Sequence, residues 1–218
     1  FDAGAADAIL AALAAAERPV VKAGGGVIHA GASAALCRFA EAFDCPVTTT
    51  FNALGAVPFD WPHNLGMPGM HGNATAITAL QKADLLITLG ARFDDRITGK
   101  VDAFAPVAKV IHVDIDPAEQ GKVRRPDVPI VGDAKYVIEE IISEIKTMIA
   151  AGAVQADTSA WKSKVSGWRE QFPMTYEQSE PGAALKPQYC IEELNRLAAP
   201  HTIVSSGVGQ HQMYTSQF

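Results

Sequence analysis

Short apolar runs alternate with longer stretches of helical period over the first two thirds of the chain. The runs are Val20-Val21-Lys22-Ala23, 45–50 (CPVTTT), 85–89 (LLITL), 109–116 (KVIHVDID) and 127–131 (DVPIV). Each is too short for a stable helix and rich in β-formers, so each reads as a strand. Between them, 5–17, 32–43, 74–82 and 134–151 have the period of amphipathic helices. The first puts Ile9, Leu10 and Leu13 on one face. The last sets Val137, Ile138, Ile141, Ile142, Ile145, Met148 and Ile149 against Glu139, Glu140, Glu144 and Lys146. Apolar strands separated by helices predict an α/β fold: a doubly wound, Rossmann-like parallel sheet with helices on both faces.

Pro19 stops the first helix, and Asp133 stands where a carboxylate caps the helix at 134–151. From 152 to 182 Ser, Thr and Gln rise, while Trp161, Trp168 and Phe172 appear among charges. That span reads as a linker with a short helix whose aromatics pack back onto a domain. An amphipathic helix at 187–197, a strand at 202–206 (TIVSS) and a helical start at 212–218 then read as the first αβ unit of a second α/β domain. The expected division is 1–152, 153–182 and 183–218. With helix patterns at both Phe1 and Phe218, the chain is expected to be a fragment of a longer protein.

Charge narrows the function classes. Eighteen Lys and Arg against 24 Asp and Glu give a formal charge of -6, with no basic field among aromatics, which argues against nucleic acid. No apolar run reaches membrane-spanning length and no targeting signal is visible, so a cytoplasmic protein with no membrane partner is expected. Cys37, Cys45 and Cys190 lie far apart in hydrophobic contexts without a CxxC pair. They are expected to be buried thiols in a reducing compartment, not disulfides or zinc ligands.

The candidate chemistry centres on 85–100 (LLITLGARFDDRITGK). The apolar run reads as a central strand, ends at Gly90, and is followed at once by Arg92, Asp94, Asp95 and Arg96. Open α/β sheets bind ligands just past the carboxyl ends of their strands; a surface loop laced with ion pairs is the plainer alternative. Gly24-Gly25-Gly26 lets backbone approach a ligand closely, although the spacing is not the GxGxxG of a nicotinamide site. The irregular section after residue 50 is longer than a plain connection needs. It closes with GMPGMHGN at 66–73, where Met67 and Met70 suit either a flat ligand or ordinary core. His71 reads as a structural histidine. Asp114 and Asp116 are expected to face the same way by strand period. Lacking a third ligand, they suit sugar hydroxyls or a cap for the turn near 118–120 better than a metal.

Taken in order, Gly24-Gly25-Gly26, LGMPGMHG at 65–72, GARFDDRITGK at 90–100, HVDIDPAEQGK at 112–122, GD at 132–133 and GVGQHQM at 207–213 resemble the large, catalytic subunit of the acetohydroxyacid synthase (acetolactate synthase) family. The resemblance spans almost the entire chain. That family has a pyrimidine-binding domain, a central FAD-binding domain and a diphosphate-binding domain. The resemblance implies that this chain is the central one followed by the start of the third. It further implies that Gly24, Gly25, Gly26, Pro68, Gly69, Met70, His71, Gly90, Arg92, Asp94, Arg96, Asp114, Ile115, Glu119 and Asp133 line an FAD site. Arg92 and Arg96 would flank the cofactor and its phosphates, and Asp114 would meet the adenosine ribose. Thr50, Phe51 and Asn52 match the segment near the flavin, although the family usually has a leucine-methionine pair where Phe51-Asn52 stand. Val208, Gly209, Gln210 and His211 match residues that touch the thiamine diphosphate phosphates, with Met213 near the flavin.

The implied reaction is carboligation: pyruvate loses carbon dioxide and joins a second pyruvate or 2-ketobutyrate, on the way to branched-chain amino acids. Thiamine diphosphate and Mg2+ serve the intact enzyme, with FAD taking no net electrons. Homo-oligomers and a small regulatory subunit are the implied partners. The family's activating glutamate and magnesium ligands match nothing in these residues, so the chain alone is expected to be inactive. Two alternatives stay open: a related enzyme such as a pyruvate oxidase or glyoxylate carboligase, and a nucleotide-binding module without catalysis.

Overall fold

Parallel pairing joins β1 (Pro19–Ala23), β2 (Val47–Thr49), β3 (Leu85–Leu89), β4 (Lys109–Asp114) and β5 (Val128–Val131) into one sheet of order β2-β1-β3-β4-β5. The computed structural model describes residues 3–150, 157–199 and 201–218. Every residue of β1 and β3 is buried, as expected for strands covered on both faces. β3 is the central strand, with Val21 and Ile111 flanking Ile87, and Lys22 and His112 flanking Thr88.

The helices are α1 (Ala3–Ala15), α2 (Gly25–His29), α3 (Ser33–Phe43), α4 (Ala74–Lys82), α5 (Asp95–Thr98), α6 (Ala134–Ala150), α7 (Ser159–Gln171), α8 (Pro187–Leu197) and α9 (Gln210–Thr215). Helices α1, α3 and α6 cover one face, where Ile9, Leu13, Phe39, Phe43, Val137 and Ile141 pack on Val21, Ile87, Ile111 and Val113. Helices α4 and α7 cover the other, with Ala76, Leu80, Trp161 and Val165 against Val20, Leu86 and Val110. Each fully buried Leu, Ile, Val or Phe contributes roughly 1.5–3 kcal/mol, so both layers hold the sheet.

Capping follows the sequence. The Asp133 carboxylate accepts from the amides of Lys135 and Tyr136 at 3.0 and 3.1 Å, opening α6. Asn73 opens α4 by accepting from Ala76 N at 2.7 Å.

Several expectations are corrected. β4 ends at Asp114, so Asp116 does not share its face; its carboxylate instead accepts from Ala118 N at 2.9 Å and caps a 3-10 turn. The strand expected at 202–206 is not formed. A strand needs a neighbour for its amides and carbonyls, and none of the sheet's five strands runs beside it; Ile203 is 94% exposed. The span expected as a linker does carry a helix, α7, and its tryptophans pack back onto the sheet domain as expected: Trp161 is buried and donates its indole N–H to Pro19 O at 3.1 Å, with Trp168 edge-on to it. Phe172 lies one residue past the end of α7 and remains exposed. Of the thiols only Cys45 is buried; Cys37 is partly covered and Cys190 exposed, on the solvent side of α8. The side chains of Met148 and Ile149, the expected helix end at 151 and the 152/153 boundary fall outside the described residues.

Candidate functional site

The connection out of β1 leads to β2 at one edge of the sheet, while that out of β3 leads to β4 on the other side. Connections that leave adjacent strands in opposite directions open a crevice at their carboxyl ends. A cavity of about 1180 Å³ lies there. That is slightly beyond the ~300–1,000 Å³ typical of small-molecule sites.

Its floor is backbone. Gly26 N donates to Gly90 O at 3.1 Å, and Gly90 takes a left-handed conformation, φ +55°. A Cβ on Gly26 would come within 2.7 Å of the Gly90 Cα. Gly25, Gly26, Thr50, Phe51 and Asn52 form the wall on the β1–β2 side. Pro68, Met70 and His71 form another, held by Met70 N donating to Arg96 O at 2.7 Å. Gly90, Arg92, Asp94 and Arg96 come from the exit of β3; Asp114, Ile115 and Asp133 come from β4 and the start of α6. Val208, Gly209 and Met213 close the cavity from the carboxy-terminal segment. That segment is tied down by Gln217, whose side-chain amide donates to His71 O at 2.8 Å.

Five of the expected residues are not in the wall. Gly24 is one layer behind, where a Cβ would strike Gly90 O at 2.2 Å. Gly69 packs its backbone on the carbonyl of Arg96. Glu119 is paired with Lys122 at 2.7 Å. Gln210 and His211 lie outside the lining, the His211 ring lying against Gly207 and Gly209.

The charges at the mouth are loosely held. Arg92 approaches Asp94 at 3.8 Å and Arg96 approaches Asp95 at 3.8 Å, and the arginine side chains are 64% and 69% exposed. Neither pair satisfies its guanidinium, so both retain capacity for an anion. Asp94 also caps α5 by accepting from Arg96 N at 3.0 Å. That backbone bond, foremost, and the neighbouring arginines hold its carboxyl below the usual range. Asp114 accepts from Asp116 N and is mostly covered. Among the described residues no three His, Cys, Asp or Glu side chains gather as a metal site, and no helix is long and apolar enough to cross a membrane.

Residues 6–141 match the family model described as thiamine pyrophosphate enzyme, central domain. The chain belongs to this thiamine pyrophosphate enzyme family. It is also 50% identical over 206 residues to an acetolactate synthase of Mycobacterium bovis, covering 94% of this chain and 33% of that protein. It is 49% identical over 203 residues to the acetolactate synthase large subunit of Corynebacterium glutamicum, covering 93% and 32%. A probable chloroplastic acetolactate synthase 2 of Oryza sativa is 45% identical over 203 residues, covering 93% and 30%. The chain thus spans about a third of the length of the curated relatives it matches.

In this member of the thiamine pyrophosphate enzyme family, motif reading missed part of the wall, including His29, Ala30, Ala91, Ile97, Gln212 and Ser216, while Met67, read as suited to a flat ligand or to core, does line it. It also missed a polar layer just beneath the cavity. Thr48, Lys22, Thr88 and His112 occupy one register level across β2, β1, β3 and β4, and all are fully buried. The Lys22 ammonium donates to Arg92 O at 2.6 Å and lies 4.3 Å from the centre of the Phe93 ring. Burial, opposed by the Asp94 carboxylate, brings its pKa down to about 7. His112 Nε2 is 3.2 Å from Ala91 O, and burial keeps this imidazole below its usual value against the pull of Asp114. The available signal was a lysine inside the short run VVKA, where an ionisable side chain is costly.

Proposed function

We propose that the cavity is an FAD site and that the chain is the central part of an acetolactate synthase catalytic subunit. The observation that carries this reading is convergence: Pro68, Met70 and His71, then Arg92, Asp94 and Arg96, then Asp114 and Ile115, far apart in sequence, line one cavity large enough for a dinucleotide. Its parts suit the groups of FAD. Arg92 and Arg96 offer unsatisfied guanidinium groups to the diphosphate, next to backbone close enough for phosphate approach. Asp114 is an acceptor at a strand terminus, the usual partner of ribose hydroxyls. Met70 and Ile115 present apolar surface, 63% and 72% exposed, to flat rings. Thr50, Phe51 and Asn52 line the same cavity and would meet the flavin.

In the intact enzyme, thiamine diphosphate with Mg2+ supplies the electron sink for joining pyruvate to pyruvate or 2-ketobutyrate, and FAD takes no net electrons. The 207–213 segment faces the thiamine diphosphate phosphates in this reading, and Arg96 is placed to recognise a keto-acid carboxylate. Homo-oligomers, a small regulatory subunit and a cytoplasmic setting belong to the same proposal.

An FAD titration followed by flavin absorbance and fluorescence tests the site: saturable binding is expected for this chain, and strong loss in Arg92→Ala. Unchanged affinity in that variant would count against the assignment. Product analysis of the full-length enzyme tests the reaction: acetolactate is expected, whereas acetate or tartronate semialdehyde would assign a related enzyme. The chain alone should make no acetolactate.

A further inference from the structure

The wall of the cavity between Gly90 and Asp94 has no secondary structure of its own, yet it carries Arg92 into the cavity mouth. What holds it lies underneath. The Lys22 ammonium reaches up from β1 to the Arg92 carbonyl and sits over the Phe93 ring. His112 reaches up from β4 to the Ala91 carbonyl, and its ring meets Phe93 edge-on at 5.2 Å between centroids. Two strands thus grip consecutive residues of one loop from below, on either side of Thr88.

A lysine is an expensive way to fill this position. Fully burying an ammonium costs more than one hydrogen bond returns, and a methionine of similar length would fill the space without that cost. The expense has a function if the charge beneath the loop matters. We propose that Lys22 is a positioning residue for the cofactor: its buried ammonium fixes the 91–94 loop and adds positive charge below Arg92, favouring an anionic dinucleotide. This rests on the reading of the cavity as an FAD site.

The charged and titratable groups around it are few. Asp94 on the loop favours the ammonium; burial and the Lys22 charge itself lower the His112 imidazole on β4, against Asp114 and Glu119. Arg92 faces outward into the cavity mouth, with its carbonyl turned to Lys22. With a folded pKa of about 7, Lys22 loses its charge over the neutral range. A bound anion above it raises that value, so FAD affinity falls as pH rises from 6.5 to 8.5.

The test is FAD affinity over that range for the wild-type chain, Lys22→Met and Lys22→Gln, with amide hydrogen exchange of 90–96 measured without FAD at pH 7. Expected are a wild-type affinity that falls with pH, a loss of about tenfold at pH 6.5 in Lys22→Met, flat profiles in both variants, and faster exchange of 90–96 in Lys22→Met. Lys22→Gln keeps an N–H donor and should lose less affinity. A flat wild-type profile, or a Lys22→Met chain that binds within twofold and exchanges 90–96 at the wild-type rate, overturns the proposal; a flat wild-type profile does so even if a variant does not fold. If no chain binds FAD, the site reading fails on its own, and the exchange rates still decide whether Lys22 holds the loop.

Discussion

Gly26 and Gly90 meet backbone to backbone: a Cβ on either would lie 2.7 Å or less from the other's Cα. Lateral pairing of β1 with β3 brings the two strand exits together, and the hydrogen bond from Gly26 N to Gly90 O locks them. The same approach forms the cavity floor.

Alanine at Gly90 is therefore expected to be costly on two counts, the clash with Gly26 and the left-handed φ of +55°. A loss of about 2–4 kcal/mol in urea unfolding is expected, combining backbone strain with overpacking. Gly31→Ala is the control: its φ is also positive, +61°, but nothing lies within 4 Å of its Cβ position. It should cost about 1 kcal/mol, the conformational part alone.

Arg92→Ala separates binding from folding. The side chain is 64% exposed and its ion pair with Asp94 is long, so unfolding should move by less than about 0.5 kcal/mol. FAD affinity should fall tenfold or more, since a charge-assisted hydrogen bond to phosphate is worth about 1.5–3 kcal/mol. Equal losses in both measurements would make Arg92 a structural residue.

Lys22 gives stability a pH dependence of known sign. Its folded pKa is lowered to about 7, against about 10.4 in an unfolded chain. Between these values the unfolded chain holds the extra proton, so stability rises with pH across that window. The wild type should therefore gain on Lys22→Met from pH 7 to pH 9 in urea midpoints. His112, also lowered by burial, acts in the same direction lower down, withdrawing stability as pH falls below the usual imidazole range.

The thiols should react in order of exposure. Cys190 is exposed and should react first with a thiol reagent at pH 8; Cys37, half-covered and shifted upward by burial, should follow slowly. Cys45, whose thiol burial pushes far up, should react only on unfolding. Timed mass spectrometry gives the order.

Truncating Trp161 should detach α7. The indole is 2% exposed and hydrogen-bonded to Pro19 O, and Trp→Ala at such a site costs about 3–5 kcal/mol. Trp168→Ala, at the margin of the same cluster, should cost less in urea unfolding.

Local pattern carried much of this fold. The run Leu85–Leu89 forms its strand with the boundaries read from sequence, as Ala74–Lys82 and Pro187–Leu197 form their helices. In each, apolar period, a cap or proline, and the breaker that follows act within a few residues of one another. The TIVSS run at 202–206 shows the limit: its β propensity is real, but a strand forms only against a partner. Phe172 differs because one residue of helix length decides whether a ring points at the core.

The sequence by itself determined the alternation of strands and helices, the glycines at the strand exits, and the motifs GMPGMHG and ARFDDR that line the cavity. All are contiguous, so neighbouring residues suffice to recognise them. Tertiary structure alone decided the order β2-β1-β3-β4-β5, the contact of Gly26 with Gly90, and the placing of Lys22 and His112 on either side of Thr88 beneath one loop. Those relations join residues at least 17 positions apart through lateral hydrogen bonding and the packing of whole layers. No local pattern encodes them, because their energy exists only once the sheet has closed.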